Sequence, residues 1–175
     1  MRVFMSFKVL LINIDTPECI DNKEYHVPLS MLSLGTVLRE QGTEVSVLDL
    51  NVSKYHYGRD VLTEITNRVR YFQPDLVGFS CLFAGNFSQV MQYSITVKSI
   101  LPSVKIATGG MHPTMFHQQI IQNFLPIDFV VSGEGEIAIT KLVKCLEKYE
   151  SLESVPMLTY RYDGKVCENL HKEIV

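Results

Sequence analysis

This chain is poor in the residues that commit a protein to several common designs. Its four cysteines, Cys19, Cys81, Cys145 and Cys167, lie far apart. They show neither the spacing of a disulfide framework nor a C-x-x-C metal pair, and read as buried or incidental thiols. No apolar run is long enough to cross a membrane. The hydrophobic start, residues 1–12, is interrupted by Lys8 and followed by no small-residue cleavage site, which excludes a signal peptide and makes the cytoplasm the expected compartment. Positive charge is scarce too: the formal net charge is −3 and the basic residues are scattered, so no nucleic-acid footprint is present. Internal repeats and low-complexity segments are missing. At 175 residues, 46% hydrophobic and 20% charged, the chain has the make-up of one globular domain that buries roughly two thirds of its unfolded surface.

What is present is a regular alternation of short apolar runs and amphipathic segments. Residues 8–14, 44–50, 75–80, 104–108 and 127–131 are rich in β-branched side chains and nearly continuous in hydrophobicity, as parallel strands covered on both faces should be. Between them lie helical patterns. Residues 28–41 begin with a first-turn proline and stop at Gly42. Residues 59–72 place Val61, Ile65, Val69 and Phe72 on one face before Pro74. Residues 87–101 carry Val90, Ser94, Val97 and Leu101 in register, a fourth helix follows Pro113, and residues 136–149 turn Ile139, Leu142, Val143 and Leu146 inward. Five alternations with right-handed crossovers predict a doubly wound α/β fold: a five-stranded parallel sheet with helices on both faces. Two alternating runs joined by Asp163-Gly164 then predict a C-terminal β-hairpin. The expected organisation is an α/β domain over 1–150, with 151–175 forming a hairpin and tail.

In such a sheet ligands bind outside the carboxyl ends of the strands, so the loops there carry the functional information. The stretch Lys105-Ile-Ala-Thr-Gly109-Gly110-Met-His112-Pro113-Thr114 reads as a buried strand running into a double-glycine turn and a proline-started helix. Successive glycines leave backbone bare against a flat ligand. The loop after the first strand lacks the hydroxyl- and glycine-rich cradle that a flavin phosphate requires. A phosphoacceptor receiver would need an aspartate ending the third strand and a lysine ending the fifth. Ser80-Cys81-Leu82 and Ser132-Gly133-Glu134 stand there instead. Gly133-Glu-Gly135-Glu-Ile-Ala138 satisfies the dinucleotide pattern G-x-G-x-x-A, but it follows the fifth strand and its glutamates would repel a pyrophosphate. The acids better suit a positive helix N-terminus. His112 with Glu134 or Glu136 has no recognisable metal-ligand spacing, which favours a hydrogen-bonded loop histidine.

Seven segments in order carry a resemblance that spans nearly the whole chain. They are Lys8-Val-Leu-Leu-Ile-Asn, Pro28-Leu-Ser-Met-Leu-Ser-Leu-Gly35 to Gly42, Val47-Leu-Asp-Leu-Asn51, Pro74-Asp-Leu-Val-Gly-Phe-Ser80, Gly109-Gly-Met-His-Pro-Thr114, Val131-Ser-Gly-Glu-Gly-Glu136 and Tyr160-Arg-Tyr-Asp-Gly-Lys165. Together they resemble the N-terminal cobalamin-binding domain of B12-dependent radical S-adenosylmethionine enzymes. The resemblance implies a corrinoid held at the strand ends with its nucleotide tail in a cleft. Ser80-Cys81-Leu82 matches the S-x-L element of the tail pocket, and Gly109-Gly110 its double glycine. By the same resemblance Met111, His112, Gly133 and Glu134 complete the expected cofactor-binding set. The implied partner is a radical S-adenosylmethionine catalytic domain, in the same longer chain or in a partner chain, and the implied parent reaction is methyl transfer or a rearrangement.

Two departures qualify that implication. The D-x-H-x-x-G signature, whose histidine ligates cobalt from below, should follow the first strand, but Asp15-Thr16-Pro17 supplies no histidine and His26 lies too far along. The C-x-x-x-C-x-x-C motif for a [4Fe–4S] cluster is also absent, so cluster and S-adenosylmethionine chemistry belong to another domain and no catalytic residue is assigned here. The competing reading is a non-enzymatic interaction module that has kept the fold and lost the corrinoid.

Overall fold

The computed structural model describes residues 6–16 and 27–169. Five strands alternate with five α-helices: β1 (Lys8–Asn13), α1 (Leu29–Glu40), β2 (Glu44–Asp49), α2 (Val61–Phe72), β3 (Leu76–Ser80), α3 (Phe87–Ile100), β4 (Lys105–Gly109), α4 (Met111–Asn123), β5 (Phe129–Val131) and α5 (Glu136–Lys148). The hairpin strands β6 (Leu158–Tyr162) and β7 (Lys165–Glu168) follow. All lie in one sheet of order β2-β1-β3-β4-β5-β6-β7. The first five strands are parallel, and β6 and β7 add on as antiparallel neighbours of β5. The doubly wound α/β fold is therefore present, with seven strands in place of five. The Asp163-Gly164 hairpin forms as expected, but it extends the sheet and does not stand apart from it. The physical reason is the free edge of β5, whose unpaired backbone groups β6 satisfies.

Burial explains the sequence pattern. The four middle residues of β1 and all five of β3 are buried, because helices cover both faces of these central strands. Helices α1 and α5 pack over Val9, Leu11, Leu76, Ala107, Phe129 and Val131. Helices α2, α3 and α4 cover Leu10, Ile12, Val77, Phe79, Ile106 and Val130 on the opposite face. Helix α2 shows how local chemistry sets the boundaries. Val61, Ile65 and Val69 form its buried stripe, the Asp60 carboxylate accepts from the Thr63 N–H at 2.8 Å as N-cap, and Gln73 ends it in a left-handed turn before Pro74. Helix α4 begins two residues earlier than its proline suggests, because Gly110 supplies the turn and Pro113 occupies the first helical turn, where no N–H partner is needed. A π-helical turn over Val52–His56 and short 3-10 turns over Ala84–Asn86 and Leu152–Ser154 have no counterpart in the sequence reading.

Helix α4 also anchors the hairpin. His117 Nδ1 lies 3.0 Å from the Thr159 hydroxyl, Gln118 donates to Glu168 at 2.7 Å, and Arg161 donates to the Ile121 carbonyl. Leu158 and Tyr160 reach into the core under α5. Thr159 is buried, so Thr159→Val keeps the shape but removes the bond to His117. We predict a loss of about 1 kcal/mol of unfolding free energy in urea denaturation. An unchanged midpoint would show that α4 does not hold the hairpin through this residue.

Candidate functional site

The sheet order reverses between β1 and β3, and a crevice opens at the carboxyl ends of the strands there, as this topology requires. Three loops meet at that edge. The Cys81 N–H donates to the Gly109 carbonyl at 2.8 Å, bringing the ends of β3 and β4 together. Gly110 then turns with φ +110°, and a Cβ on it would overlap the Cys81 carbonyl oxygen. Only glycine fits there. The Thr114 hydroxyl, one turn into α4, donates to the Gly110 carbonyl at 2.8 Å and accepts from the Gly133 N–H at 3.0 Å, which ties the β4 and β5 loops. The Ser33 hydroxyl donates to Glu136 at 2.7 Å and ties α1 to α5.

Between α1 and α5 these contacts leave a groove of about 270 Å³. Its floor is made of small residues. Ser80 pairs with Gly109, and one pleat further in Gly78 pairs with Ala107. These residues share the sheet face that α1 and α5 cover, and at Gly78 a Cβ would lie 3.0 Å from the Leu11 side chain. Met31 and Leu34 of α1 and Ile139 of α5 form the walls, and Glu134, Glu136 and Leu82 stand at the rim. The Ser80 hydroxyl is nearly buried and makes no protein hydrogen bond among the described residues. Glu134 is exposed and likewise unpaired. A groove of this size has room for a bicyclic base but not for a macrocycle, which would have to lie outside it across the strand ends.

Of the residues singled out from the sequence, Ser80, Leu82, Gly109, Gly110, Gly133 and Glu134 line this groove. Cys81, Met111 and His112 do not. The Cys81 side chain points to the opposite face, where its thiol donates to the Phe83 carbonyl at 3.4 Å, so it meets the site through backbone alone. Met111 is exposed at the start of α4. The His112 ring packs against Phe87 and Phe116, with centroids 5.0 and 4.8 Å away. Among the described residues no three His, Cys, Asp or Glu side chains gather as a metal site. Cys19 and His26 lie outside the described residues. The sequence reading missed Leu11, Met31, Leu34, Gly78, Ala107 and Ile139. A glycine and an alanine within otherwise branched strands were the available signal, since small strand residues mark close approach.

On the other side of the crevice lies a buried charge. Asp15, directly after β1, is 1% exposed; it accepts from the Tyr93 hydroxyl at 2.5 Å and from the Lys54 ammonium at 2.5 Å. The π-helical turn presents that lysine. Burial and the adjacent carboxylate push the Tyr93 phenol far above its ordinary range, and the Asp15 hydrogen bond raises Lys54. Asn51 accepts from the Thr16 N–H at 2.9 Å and donates to the Ile14 carbonyl at 3.2 Å, which fixes residues 14–16. In the D-x-H signature an aspartate precedes the histidine. Here Asp15 is committed to Tyr93 and Lys54.

Residues 20–143 match the family profile of the B12 binding domain. The chain belongs to that family. This B12-binding domain is 33% identical to an anaerobic magnesium-protoporphyrin IX monomethyl ester cyclase of Synechocystis sp., over 85% of this chain and 29% of that protein. It is 28% identical to a hopanoid C-3 methylase of Methylococcus capsulatus, over 74% of this chain and 24% of that protein. Among solved structures, the cobalamin-dependent S-adenosylmethionine radical enzyme OxsB, with aqua-cobalamin and S-adenosylmethionine bound, superposes with a TM-score of 0.81 over 97% of this chain and 23% of that one, at 23% identity. The radical S-adenosylmethionine methyltransferase TsrM of Kitasatospora setae, with cobalamin and a [4Fe–4S] cluster, gives 0.78 over 95% of this chain and 29% of that one, at 20% identity. The fold of this B12-binding domain is thus shared with domains of cobalamin-dependent radical enzymes. It spans less than a third of the length of each of these relatives.

The residues present fit the family's cofactor. The floor is bare of side chains that would fill it, its interior is apolar, and the unpartnered Ser80 hydroxyl stands at its mouth. Two predictions follow from the packing at its edge. Gly110→Ala should cost at least about 1–3 kcal/mol in urea unfolding, because it combines positive φ with a backbone clash; a neutral result would mean the two loops do not meet as described. Burial also pushes the Cys81 thiol from its ordinary 9.0 up to about 11. The folded state therefore keeps a proton that the unfolded state loses, and stability should fall as pH rises from about 9 towards 11. Cys81→Ala should flatten that slope in pH-dependent thermal unfolding, and an identical slope would place the thiol in solvent.

Proposed function

We propose that this domain holds the corrinoid at the carboxyl ends of its parallel strands, with the nucleotide tail in the groove between α1 and α5. The observation that carries this reading is the floor of Gly78, Ser80, Ala107 and Gly109, which leaves a trough where neighbouring sheet positions carry packed aliphatic side chains. Bound cobalamin supplies a cobalt centre able to carry a methyl group. The chain's own residues bind, orient and exclude water: Leu11, Leu34 and Ile139 enclose the tail, and the Ser80 hydroxyl donates to a tail acceptor. The backbone of Gly109, Gly110 and Gly133 lets the macrocycle lie close, beside Met111 and His112 at the start of α4. Glu134 accepts from amide or hydroxyl groups at the rim. The Asp15–Tyr93–Lys54 cluster would hold the end of β1 fixed beside the bound corrinoid.

The parent protein is on this reading a radical S-adenosylmethionine enzyme, most simply a methyltransferase. Its [4Fe–4S] cluster and S-adenosylmethionine belong to a catalytic domain, in the same chain or in a partner. Its place is the cytoplasm. Among the described residues no helix is long and apolar enough to cross a membrane. The competing reading, an interaction module that has lost the corrinoid, is disfavoured by the open groove with its unpaired hydroxyl, since a vacated groove would be free to fill with larger side chains.

Retention of hydroxocobalamin after filtration tests the reading, with Ala107→Leu as the comparison. The branched side chain would rise from the floor, and we predict at least roughly tenfold weaker binding in a chain still folded by circular dichroism. Equal binding by the variant would exclude the groove as the tail site.

A further inference from the structure

We propose that the groove selects among corrinoids by the chemistry of the lower base, accepting a benzimidazole and discriminating against a purine. This rests on the tail reading above and goes on to name the ligand class. Its ground is the way polarity is distributed with depth. Every side chain in the groove that can hydrogen-bond lies at the mouth: Ser30 at the first turn of α1, Ser80 at the end of β3, and Glu134 and Glu136 at the rim. Glu136 is already engaged by Ser33. Thr108 borders the groove through its backbone, because its hydroxyl donates to the Phe79 carbonyl at 3.3 Å on the opposite face.

One pleat deeper, only carbon is presented. Leu11, Gly78 and Ala107 lie side by side across β1, β3 and β4, with Leu34 and Ile139 above them. The backbone groups of these strand residues serve the parallel ladder on either side, so the main chain offers no spare donor or acceptor.

A benzimidazole matches that gradient. Beyond the nitrogen joined to the ribose it has one ring nitrogen, which a single hydroxyl such as that of Ser80 can satisfy, and its six-membered ring is all carbon. A purine carries further nitrogens in the six-membered ring, and adenine adds an amine. Against Leu11, Gly78, Ala107 and Ile139 those atoms would be stripped of water with nothing to bond, a cost large enough to dominate selectivity.

Equilibrium binding of three corrinoids to this chain decides the matter: hydroxocobalamin, the cobamide that carries adenine as lower base, and cobinamide, which has no base. Hydroxocobalamin should bind at least roughly tenfold more tightly than the adenine cobamide, the factor expected for one or more unpaired buried polar atoms, and more tightly than cobinamide, which leaves the apolar trough unfilled. Equal affinity for hydroxocobalamin and the adenine cobamide, with cobinamide weak, would overturn the selectivity while leaving the tail reading intact. Equal affinity for all three would overturn the tail reading and the selectivity with it, as would binding of none. Leu34→Gln, at a half-buried helix position, places an amide on the inner wall and should narrow the gap between hydroxocobalamin and the adenine cobamide. An unchanged ratio would contradict the carbon-only wall as its source.

Discussion

The ligand end of this domain depends on the close approach of Gly110 to the Cys81 carbonyl. Because no side chain separates them, the loops after β3 and β4 close on each other, and Cys81 donates its N–H to Gly109. That closure decides which way the adjoining residues face. Cys81 is turned into the α2–α4 layer, Ser80 is left on the α1–α5 face, and α4 can begin at Met111. The double glycine thus has two duties, since Gly109 lies on the groove floor while Gly110 is required by the fold itself.

The two sides of the crevice are built on opposite physical rules. On the α2–α3 side a carboxylate is buried at the end of β1 and paired with a phenol and an ammonium, an arrangement that tolerates little movement because any break leaves a buried charge unpaired. On the α1–α5 side space is left open, with carbon lining its depth and polar groups confined to its mouth. A rigid polar wall beside an adaptable apolar trough suits a domain that must hold a large cofactor in one orientation, and it fits the membership in the B12-binding family.

Most of the fold was legible because strands buried on both faces write continuous apolar runs and the helices between them write a 3.6-residue stripe, as Val61, Ile65 and Val69 do. The Asp163-Gly164 turn was equally plain. Where the hairpin docks was not, since period-two alternation fixes a strand's faces but says nothing about which free edge it will meet. At the site, neighbours in sequence are sent to different faces. Ser80 and Leu82 flank the groove while Cys81 between them points away, which is the alternation of a strand carried into its loop. Met111 and His112 follow the double glycine but leave with α4, towards solvent and towards Phe87. The inner floor, Gly78 and Ala107, was signalled only by small residues in branched strands. The Asp15–Tyr93–Lys54 cluster joins three segments that no local pattern relates.

The central claim is that the tail of a corrinoid occupies the trough between α1 and α5. It is tested most directly by amide chemical shifts of the isotope-labelled chain on titration with hydroxocobalamin. The account predicts large changes at Leu34, Gly78, Ala107, Gly109 and Gly135, with Ile65 and Val69 on the far face of the sheet unmoved. Saturable binding that leaves Gly78 and Ala107 unshifted would contradict it.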